Sequence, residues 1–422
     1  MIQSITGTKD NFSPEIKLWQ HIEETARVHF ALFQFEEIRT PLLEVTELFA
    51  RGIGTETGVV KKEMYTFDDK GGESVTLRPE GTASVVRAYI EHNFERADPV
   101  TKLYYMGPMF RYERPQKGRL RQFHQIGAEI FGTKTPQTDV EIIVLADSFV
   151  RKLGLTDFEL QINSLGCTQQ AGKCRSQYQE ELKKYLSKHG TEYCEDCQRR
   201  ITTNPLRVFD CKNQSCQKLF HKAPEIFSYL CENCEPHFES VKNGLSLLKV
   251  PFVINARIAR GLDYYDQTAF EFISNNLGAQ NAFGGGGRYN GLVKHLGGQD
   301  IPAVGFALGV ERLVLLLEGK TPPPPSTKVY VMFLGREAWP KAIEIAHSLR
   351  QNGIACEIDF EEKSFKAQFR RADKLGCTHA VILGENEVKE GKVQVKDMAK
   401  KTQMEIPFNT LVDHLKNGPA TI

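Results

Sequence analysis

The sequence predicts an α+β protein in which a large first domain, interrupted by a helical insertion, is followed by a smaller α/β domain. Three observations lead to this expectation. Two long strand-like runs, at 102–111 and 122–131, flank a short polar loop, charged helical patterns replace strand patterns from about 168 to 250, and a proline tract occupies 320–327. Proline fixes φ and lacks a backbone N–H, so neither a helix nor a central strand could contain that tract.

The proline tract sets the domain boundary, which we place between 1–325 and 326–422. The second part opens with a β-rich run at 328–334, continues with an amphipathic helix pattern, and has further apolar runs at 380–383 and 393–395. Strand and helix patterns that alternate in this way indicate a small α/β module.

One helix pattern of this module carries a basic stripe. Over 363–374, basic side chains recur on one helical face, and Phe365, Phe369 and Ala372 share another. The basic residues are Lys363, Lys366, Arg370 and Lys374. Such a stripe suits contact with a nucleic acid, and a merely solvated face is the alternative.

The composition argues against membrane and secreted classes of protein. Hydrophobic residues make up 41% of the 422 and charged residues 25%, and the N-terminus lacks a basic head followed by an apolar signal core. No apolar run approaches the roughly 18 residues of a membrane span. We therefore expect a cytoplasmic protein without a membrane segment. Because the net charge is only +1, a nucleic-acid partner would have to be held by local basic patches.

The run at 122–131 alternates between two faces of a strand, since successive strand side chains point to opposite sides. One face consists of Ile126, Ala128 and Ile130. The other consists of Phe123, Gln125, Gly127 and Glu129. Gln125 and Glu129 flank a glycine that leaves room for a ligand, and both could bond a small polar molecule on the sheet. An ordinary exposed strand face is the alternative.

The loop between the two strand-like runs is strongly basic. From 111 to 121 its only acid is Glu113, and Gln116 lies among the cations. The basic residues are Arg111, Arg114, Lys117, Arg119 and Arg121. Guanidinium groups bind phosphates and base edges in a bidentate manner, which favours a nucleotide or nucleic-acid contact over the alternative of a solvated charge run.

A strand-to-helix corner precedes this loop. A strand pattern from 74 ends at Pro79, and Glu80, Gly81 and Thr82 form the corner. Gly81 would let a ligand approach the backbone, and Glu80 could pair with an ammonium group. Alternatively, Glu80 and Thr82 only cap the helix, which contributes about 1 kcal/mol.

Two later segments could also meet a ligand. The four glycines at 284–287 could bring backbone amides against a phosphate, a base or a substrate. Arg312 lies in the first turn of a helix that follows a strand pattern, where it could meet a nucleotide.

Taken together, these segments resemble the class II aminoacyl-tRNA synthetases, and specifically the histidyl-tRNA synthetase family, over essentially the whole chain. FQFEEIRTPLLE (33–44) is similar to the first class motif, FRYERPQKGRLRQFHQIGAEIFG (110–132) to the second and GFALGVERL (305–313) to the third. RGLDYY (260–265) and GGGRYNG (285–291) resemble two signatures of the histidine enzymes. The resemblance implies an antiparallel active-site sheet backed by helices, a helical insertion, and a C-terminal α/β domain that binds the anticodon.

The resemblance also implies roles for individual residues. It assigns the α-phosphate of ATP to Arg111 and a place against the ATP to Arg312. Arg260 matches a catalytic arginine special to the histidine enzymes, which contacts the carboxylate and the α-phosphate. The resemblance implies that histidine is bound by Glu80, Gly81, Thr82, Gln125, Glu129, Tyr264 and Tyr265. Among them, Glu129 and Tyr265 match residues that bond the two imidazole nitrogens.

The implied activity is formation of histidyl-adenylate from histidine and ATP with Mg²⁺, followed by transfer of histidine to the 3′ end of tRNA(His). The basic stripe would contact the anticodon arm, and the first motif, around Pro41, would form a homodimer interface. The acceptor end, with its extra 5′ guanosine, would meet Arg114, Gln116, Lys117, Arg119 and Arg121. The alternative is a histidine-binding regulatory relative of ATP phosphoribosyltransferase that charges no tRNA.

The ten cysteines allow two interpretations. A large chain without an export signal is expected to hold reduced thiols or metal ligands rather than a disulfide framework. The pairs Cys194-x2-Cys197 and Cys231-x2-Cys234 have the spacing of a tetrahedral zinc site, with Cys211-x4-Cys216 between them. The resemblance, in contrast, implies no metal, so structural zinc is not expected.

Overall fold

The structure is a computed structural model, and it divides into two compact units, Met1–Lys320 and Thr321–Ile422. The proline tract at 320–327 lies outside the described residues. The described residues are 2–54, 57–167, 174–211, 213–258, 264–278, 281–319, 328–359, 361 and 363–417.

The first unit combines helices with strands of very different length. Its helices are α1 (Ile16–Leu32), α2 (Thr46–Ile53), α3 (Thr82–Glu91), α4 (Pro136–Lys152), α5 (Cys174–Ser187), α6 (Glu195–Thr203), α7 (Gln214–Phe220), α8 (Cys234–Leu247), α9 (Leu292–His295) and α10 (Val310–Leu317). Its strands are β1 (Glu36–Glu37), β2 (Leu43–Val45), β3 (Tyr65–Asp68), β4 (Ser74–Leu77), β5 (Thr101–Phe110), β6 (Gln122–Phe131), β7 (Glu159–Ser164), β8 (Val253–Ile254), β9 (Asp266–Ile273), β10 (Ala282–Arg288) and β11 (Ala303–Gly309).

An eight-stranded sheet organises this unit, in the order β1-β5-β6-β11-β10-β9-β7-β8. Neighbouring strands are antiparallel except at the two edges, where β1 pairs with β5 and β7 with β8 in parallel. The expected antiparallel sheet is therefore confirmed. A separate three-stranded sheet, β2-β4-β3, contains the end of the segment that resembles the first motif.

Helices cover the apolar face of the large sheet. Ile126, Ala128 and Ile130 of β6 are buried in one core with Phe30 of α1 and Phe149 of α4. The predicted alternation along β6 is thereby confirmed. Each isoleucine or phenylalanine side chain in this core contributes roughly 1.5–3 kcal/mol by burial, so the core fixes which residues of β6 point to the opposite, polar face.

The insertion between β7 and β8 is helical, as predicted, over its described residues. Helices α5 to α7 surround a core of their own, which includes Leu182, Val208 and Phe220. Helix α8 returns to the main unit, where Phe238 and Val241 join the core behind the large sheet.

The second unit is an α/β module with a five-stranded sheet in the order β13-β12-β14-β15-β16. Strand β12 is parallel to β13 and β14, and the remaining pairs are antiparallel. Its strands are β12 (Lys328–Phe333), β13 (Ala355–Ile358), β14 (His379–Leu383), β15 (Lys392–Asp397) and β16 (Gln403–Pro407). Its helices are α11 (Trp339–Gln351), α12 (Phe365–Lys374), α13 (Glu385–Glu390) and α14 (Leu411–Asn417).

Within the described residues, each helix is too short or too polar to span a membrane.

Candidate active site

The polar face of β6 forms the floor of the candidate site. Glu129 is fully buried and pairs with Gly305 of β11, where a Cβ would overlap the Glu129 carboxylate. Gln125 lies opposite Gly309 of β11 and Gly107 of β5. These glycine neighbours leave the two polar side chains room to lie along the sheet.

Two hydroxyl groups hold the Glu129 carboxyl group. Thr82 Oγ1 donates to Oε1 over 2.7 Å, and Tyr289 Oη donates to Oε2 over 2.5 Å. Burial raises the pKa of Glu129 to about 8, although both hydrogen bonds act in the opposite direction. A carboxyl group that titrates near neutrality can accept a hydrogen bond from an imidazole nitrogen or donate one to it.

The space beside Gly127 is filled by Tyr105, not left for a ligand. A Cβ on Gly127 or on Gly81 would overlap the Tyr105 ring, so this ring takes the space that we expected Gly127 to leave for a ligand, and contact of a ligand with the Gly81 backbone stays a prediction. Among the described residues, Gln125 Oε1 is a buried oxygen without a hydrogen-bond partner. Buried oxygens usually have a partner, and a polar ligand on this face would supply one.

Glu80 caps α3, as the alternative interpretation of the corner expected. Its carboxylate accepts the backbone N–H groups of Thr82, over 2.8 Å, and Ala83, over 2.7 Å. Burial raises the pKa of Glu80 despite these two bonds and the nearby Arg111 charge. Because Thr82 points its hydroxyl group at Glu129, the start of α3 is coupled to the polar face of β6.

Three tyrosine rings stand beside Glu129. The Tyr264 ring centroid lies 4.7 Å from that of Tyr265 and 5.6 Å from that of Tyr289. Burial raises the pKa values of Tyr264 and Tyr289 well above their usual value, so both hydroxyl groups remain neutral hydrogen-bond donors. Sequence reasoning missed Tyr289, although the GGGRYNG segment contains it. Arg260, the expected catalytic arginine, lies outside the described residues.

Arg111, Arg119 and Arg312 converge near the start of β6. Burial, together with the charges of Arg119 and Arg111, lowers the pKa of Arg312. Arg111 donates through Nε to the Pro79 carbonyl and lies over the Phe123 ring at 5.2 Å. Cations held this close together repel one another, and a polyphosphate would relieve that repulsion.

Some residues of the basic loop pack near this arginine group, and others are exposed on the surface. Arg119 forms an ion pair with Glu113, and Arg312 bonds the Gly118 carbonyl, which fixes the loop tip against α10. Arg121 stacks on the Tyr112 ring at 4.0 Å. The exposed members of the loop set are Arg114, Gln116 and Lys117.

The run of four glycines forms part of a central strand of the large sheet. Gly284 to Gly287 lie within β10, which pairs with β9 on one side and β11 on the other. The ladder therefore occupies the backbone groups that we expected to meet a phosphate or substrate, and that expectation was wrong. Arg288, directly after the run, is fully buried and bonds Asp139 of α4 over 2.5 Å, a structural ion pair.

The basic stripe of the second unit is confirmed in part. Lys366, Arg370 and Lys374 are exposed on α12, whereas Phe365 and Phe369 pack on a core beneath it. Lys363 does not belong to the stripe, because α12 begins at Phe365 and Lys363 bonds Asp359 over 3.1 Å from the preceding segment.

The four cysteines singled out as zinc ligands do not form one site. Cys194 and Cys197 lie with Cys211 and Cys216, whereas Cys231 and Cys234 lie with Cys167 and Cys174. Sequence reasoning missed the last two, because their separation along the chain resembles no familiar ligand pair.

Comparisons with known proteins agree with this arrangement. A family model described as histidyl-tRNA synthetase matches residues 7–313, and one described as anticodon binding domain matches residues 328–418. A histidine–tRNA ligase of Halothermothrix orenii is 48% identical over 98% of this chain and 99% of its own. One of Geobacter sulfurreducens is 48% identical over 97% and 98%. The crystal structure of an apo histidyl-tRNA synthetase from S. aureus has a TM-score of 0.82 at 36% identity, covering 99% of this chain and 100% of its own.

Family models thus match most of the chain, and close relatives match nearly all of it. The segments they match include the buried Glu129 pocket and the converging arginines. The chain therefore belongs to the histidyl-tRNA synthetase family.

Proposed function

We propose that this protein is a histidine–tRNA ligase, which activates histidine with ATP to histidyl-adenylate and then transfers histidine to the 3′ end of tRNA(His). The observation that carries the proposal is the buried Glu129, held by Thr82 and Tyr289, on the same strand face as Gln125. Four residues of a strand span roughly 13 Å, so one face can hold an amino acid between a carboxyl group and the arginine group.

The two ends of the proposed pocket would bind the two ends of histidine, the imidazole ring and the α-amino group. Glu129 and Tyr265 would bond the two imidazole nitrogens, and Glu80, Thr82 and Gln125 would hold the α-amino end. Gln125 Oε1, buried and without a partner among the described residues, is an acceptor suited to an ammonium group. A pocket that must satisfy buried polar groups rejects amino acids without the matching nitrogen atoms by roughly 10⁴-fold.

Activation requires positioning and charge. The histidine carboxylate would attack the α-phosphorus of ATP in line, with pyrophosphate leaving, while Arg111, Arg312 and Arg260 stabilise the phosphate charge. Magnesium neutralises polyphosphate oxygens and takes oxygen ligands. Glu271 and Glu311 lie close enough to Arg312 that their charges oppose the lowering of its pKa. Their carboxylate oxygens would be available as magnesium ligands beside the arginine group.

Arg260 provides the kinetic test of this chemistry. In single-turnover adenylate formation at saturating histidine and ATP, Arg260→Ala should be slower by about 10²- to 10³-fold, the usual cost of losing one transition-state donor. Histidine binding should change much less. Adenylate formation at the wild-type rate would remove Arg260 from the catalytic set and favour a protein that only binds histidine.

Transfer to tRNA would use the two basic surfaces. The acceptor end would meet the exposed Arg114, Gln116 and Lys117, with Arg119 and Arg121 behind them, and the anticodon arm would meet α12. Removing the extra 5′ guanosine of the tRNA should impair charging and leave adenylate formation unchanged. Equal charging of both tRNAs would contradict the role of this loop.

We also propose a homodimer through the first-motif segment, with the protein acting in the cytoplasm. Leu42, Leu43 and Val45 are 42%, 47% and 43% exposed, and Phe67 of the same small sheet is 48% exposed. Clustered exposed apolar residues mark an interaction surface. Sedimentation should give twice the 47.8 kDa chain mass, and Leu43→Glu with Val45→Glu should give the monomer. A wild-type monomer would contradict the proposal.

A further inference from the structure

Eight of the ten cysteines gather into two clusters of four. The first cysteine cluster consists of Cys167, Cys174, Cys231 and Cys234. The second cysteine cluster consists of Cys194, Cys197, Cys211 and Cys216. Within each cluster all four Sγ atoms lie within 4.8 Å of one another. Four cysteine ligands form the closed coordination set of a structural zinc site.

The distances between sulfur atoms match a tetrahedron around one ion. With Zn–S bonds of about 2.3 Å, the edge of such a tetrahedron is about 3.8 Å. In the first cluster Cys167 Sγ lies 3.4 Å from Cys174 Sγ and 3.9 Å from Cys231 Sγ, and Cys174 Sγ lies 3.6 Å from Cys234 Sγ. In the second, Cys194 Sγ lies 3.8 Å from Cys211 Sγ.

Other uses of four thiols agree less well with these distances. All ten cysteines are free, and each cluster brings four sulfurs together at once, whereas a disulfide joins two at about 2 Å. An iron–sulfur cluster places several irons and sulfides between its cysteines, which needs a wider set of ligands. One tetrahedral ion is the simplest occupant.

Apolar packing does not explain the first cluster. Its buried members are Cys167, Cys174 and Cys234, and their only packed neighbours in that core are Leu230 and Cys231, within the described residues. A core of this kind buries too little apolar surface to hold the start of α5 against the start of α8. A metal ion bonded to all four sulfurs would do so.

The backbone also presents donors to the sulfurs. The N–H of Cys167 donates to Cys174 Sγ over 3.2 Å, that of Cys194 to Cys216 Sγ over 3.4 Å, and that of Asn213 to Cys211 Sγ over 3.4 Å. Hydrogen bonds of this kind favour thiolates and orient them, as in the outer shell of a metal site.

We propose that each cysteine cluster binds one structural zinc ion, so that the chain carries two. The four thiols of each cluster lose their protons to solvent when the ion binds as a tetrathiolate. The proposal replaces the expectation, implied by the family resemblance, that no zinc is present. The second ion would support an insertion core built on short helices, since α6 and α7 have only nine and seven residues.

The first ion would also support the histidine pocket, a consequence that rests on the proposed function. Arg175, next to Cys174, donates through Nη1 to the Tyr265 carbonyl over 2.5 Å. Gln267 Nε2 lies 4.0 Å from Cys234 Sγ, and the backbone N–H of Gln267 bonds the Gly166 carbonyl over 2.9 Å. Loss of the first ion should therefore raise the KM for histidine, and loss of the second should not.

Elemental analysis tests the ions independently of any activity. Full-length protein, freed of its tag and purified without chelator from zinc-supplemented cells, should contain two zinc ions per chain, one for each cluster. Cys231→Ser with Cys234→Ser, and separately Cys194→Ser with Cys197→Ser, should each leave one. Cys356→Ser, outside both clusters, is the matched control and should leave two.

A second measurement covers variants that fail to fold. Wild-type protein produced with cobalt in place of zinc should show the visible absorption bands of tetrahedral cobalt bound by four thiolates, and a strong chelator should lower the Tm of the zinc protein. Less than one metal ion per wild-type chain, or stoichiometric iron instead of zinc, would overturn the proposal. One zinc that responds to only one pair of substitutions would overturn it for the other cluster.

Discussion

Tyr289 Oη donates a 2.5 Å hydrogen bond to Glu129 Oε2, although the two residues are 160 positions apart in the chain. Tyr289 follows β10, and Glu129 lies on β6. The sheet order, which places only β11 between these two strands, brings them together. The bond orients the carboxyl group that we propose to bond an imidazole nitrogen of histidine.

Glu129→Gln should weaken histidine binding. Above pH 8, where the Glu129 carboxyl group is ionised, a hydrogen bond to a charged group contributes about 1.5–3 kcal/mol, so the KM for histidine in ATP–pyrophosphate exchange should rise roughly 10- to 100-fold. Tyr289→Phe keeps the carboxyl group and removes only its orienting hydroxyl, so its effect should be a few-fold. An unchanged histidine KM in Glu129→Gln would show that Glu129 does not contact the substrate.

The raised pKa of Glu129, about 8, predicts how stability depends on pH. The folded protein binds this proton more tightly than the unfolded chain does, whose pKa is about 4.3. The stabilisation is therefore complete below that value and is lost as pH rises through about 8. The Tm of Glu129→Gln, compared with that of the wild type, should become relatively higher between pH 5 and 9. Glu390→Gln, at an exposed site, should show no such trend, and a trend of opposite sign for Glu129→Gln would contradict the pKa.

Gly127→Ala should destabilise the first unit. The added Cβ would overlap the Tyr105 ring and lie 2.8 Å from the Phe306 carbonyl oxygen, so the strand must shift. Overpacking of this kind costs about 1–3 kcal/mol in the free energy of unfolding. Gly190→Ala, where nothing lies within 4 Å of the added Cβ, is the matched control and should change it by less than about 0.5 kcal/mol. Equal denaturation midpoints for the two variants would contradict the packing.

Reversing charges on α12 should weaken tRNA charging without affecting adenylate formation. Lys366→Glu with Arg370→Glu alters two exposed positions of the stripe, so the KM for tRNA should rise and its dependence on salt should become weaker, by about one unit of slope per side chain. Lys389→Glu on α13 is the control. Val388, next to Lys389, packs on the core at the face of the sheet opposite to α12, so α13 lies away from the basic stripe. Equal effects of the two variants would indicate that α12 is a solvated face.

Much of the fold was predictable because its signals are local. The alternation over Gln125 to Glu129 fixed the polar face of β6, and the helical stripe of α12 was apparent from spacing. Lys363 was misassigned because helical spacing extends past the true start at Phe365, and no local signal marks its bond to Asp359.

The errors within the site depend on contacts that are distant in sequence. That Tyr105 occupies the space over Gly81 and Gly127 depends on the register of β5 against β6. Similarly, Cys167 joins Cys231 only because β7 ends beside the start of α8, a relation that sequence spacing does not show.

Histidine-dependent ATP–pyrophosphate exchange tests the central claim most directly. Purified protein should exchange labelled pyrophosphate into ATP with histidine and at most at background level with each of the other standard amino acids, because we propose that Glu129 and Tyr265 bond the two imidazole nitrogens. Histidine binding without exchange would contradict the claim and indicate a regulatory protein. Faster exchange with another amino acid would contradict it as well.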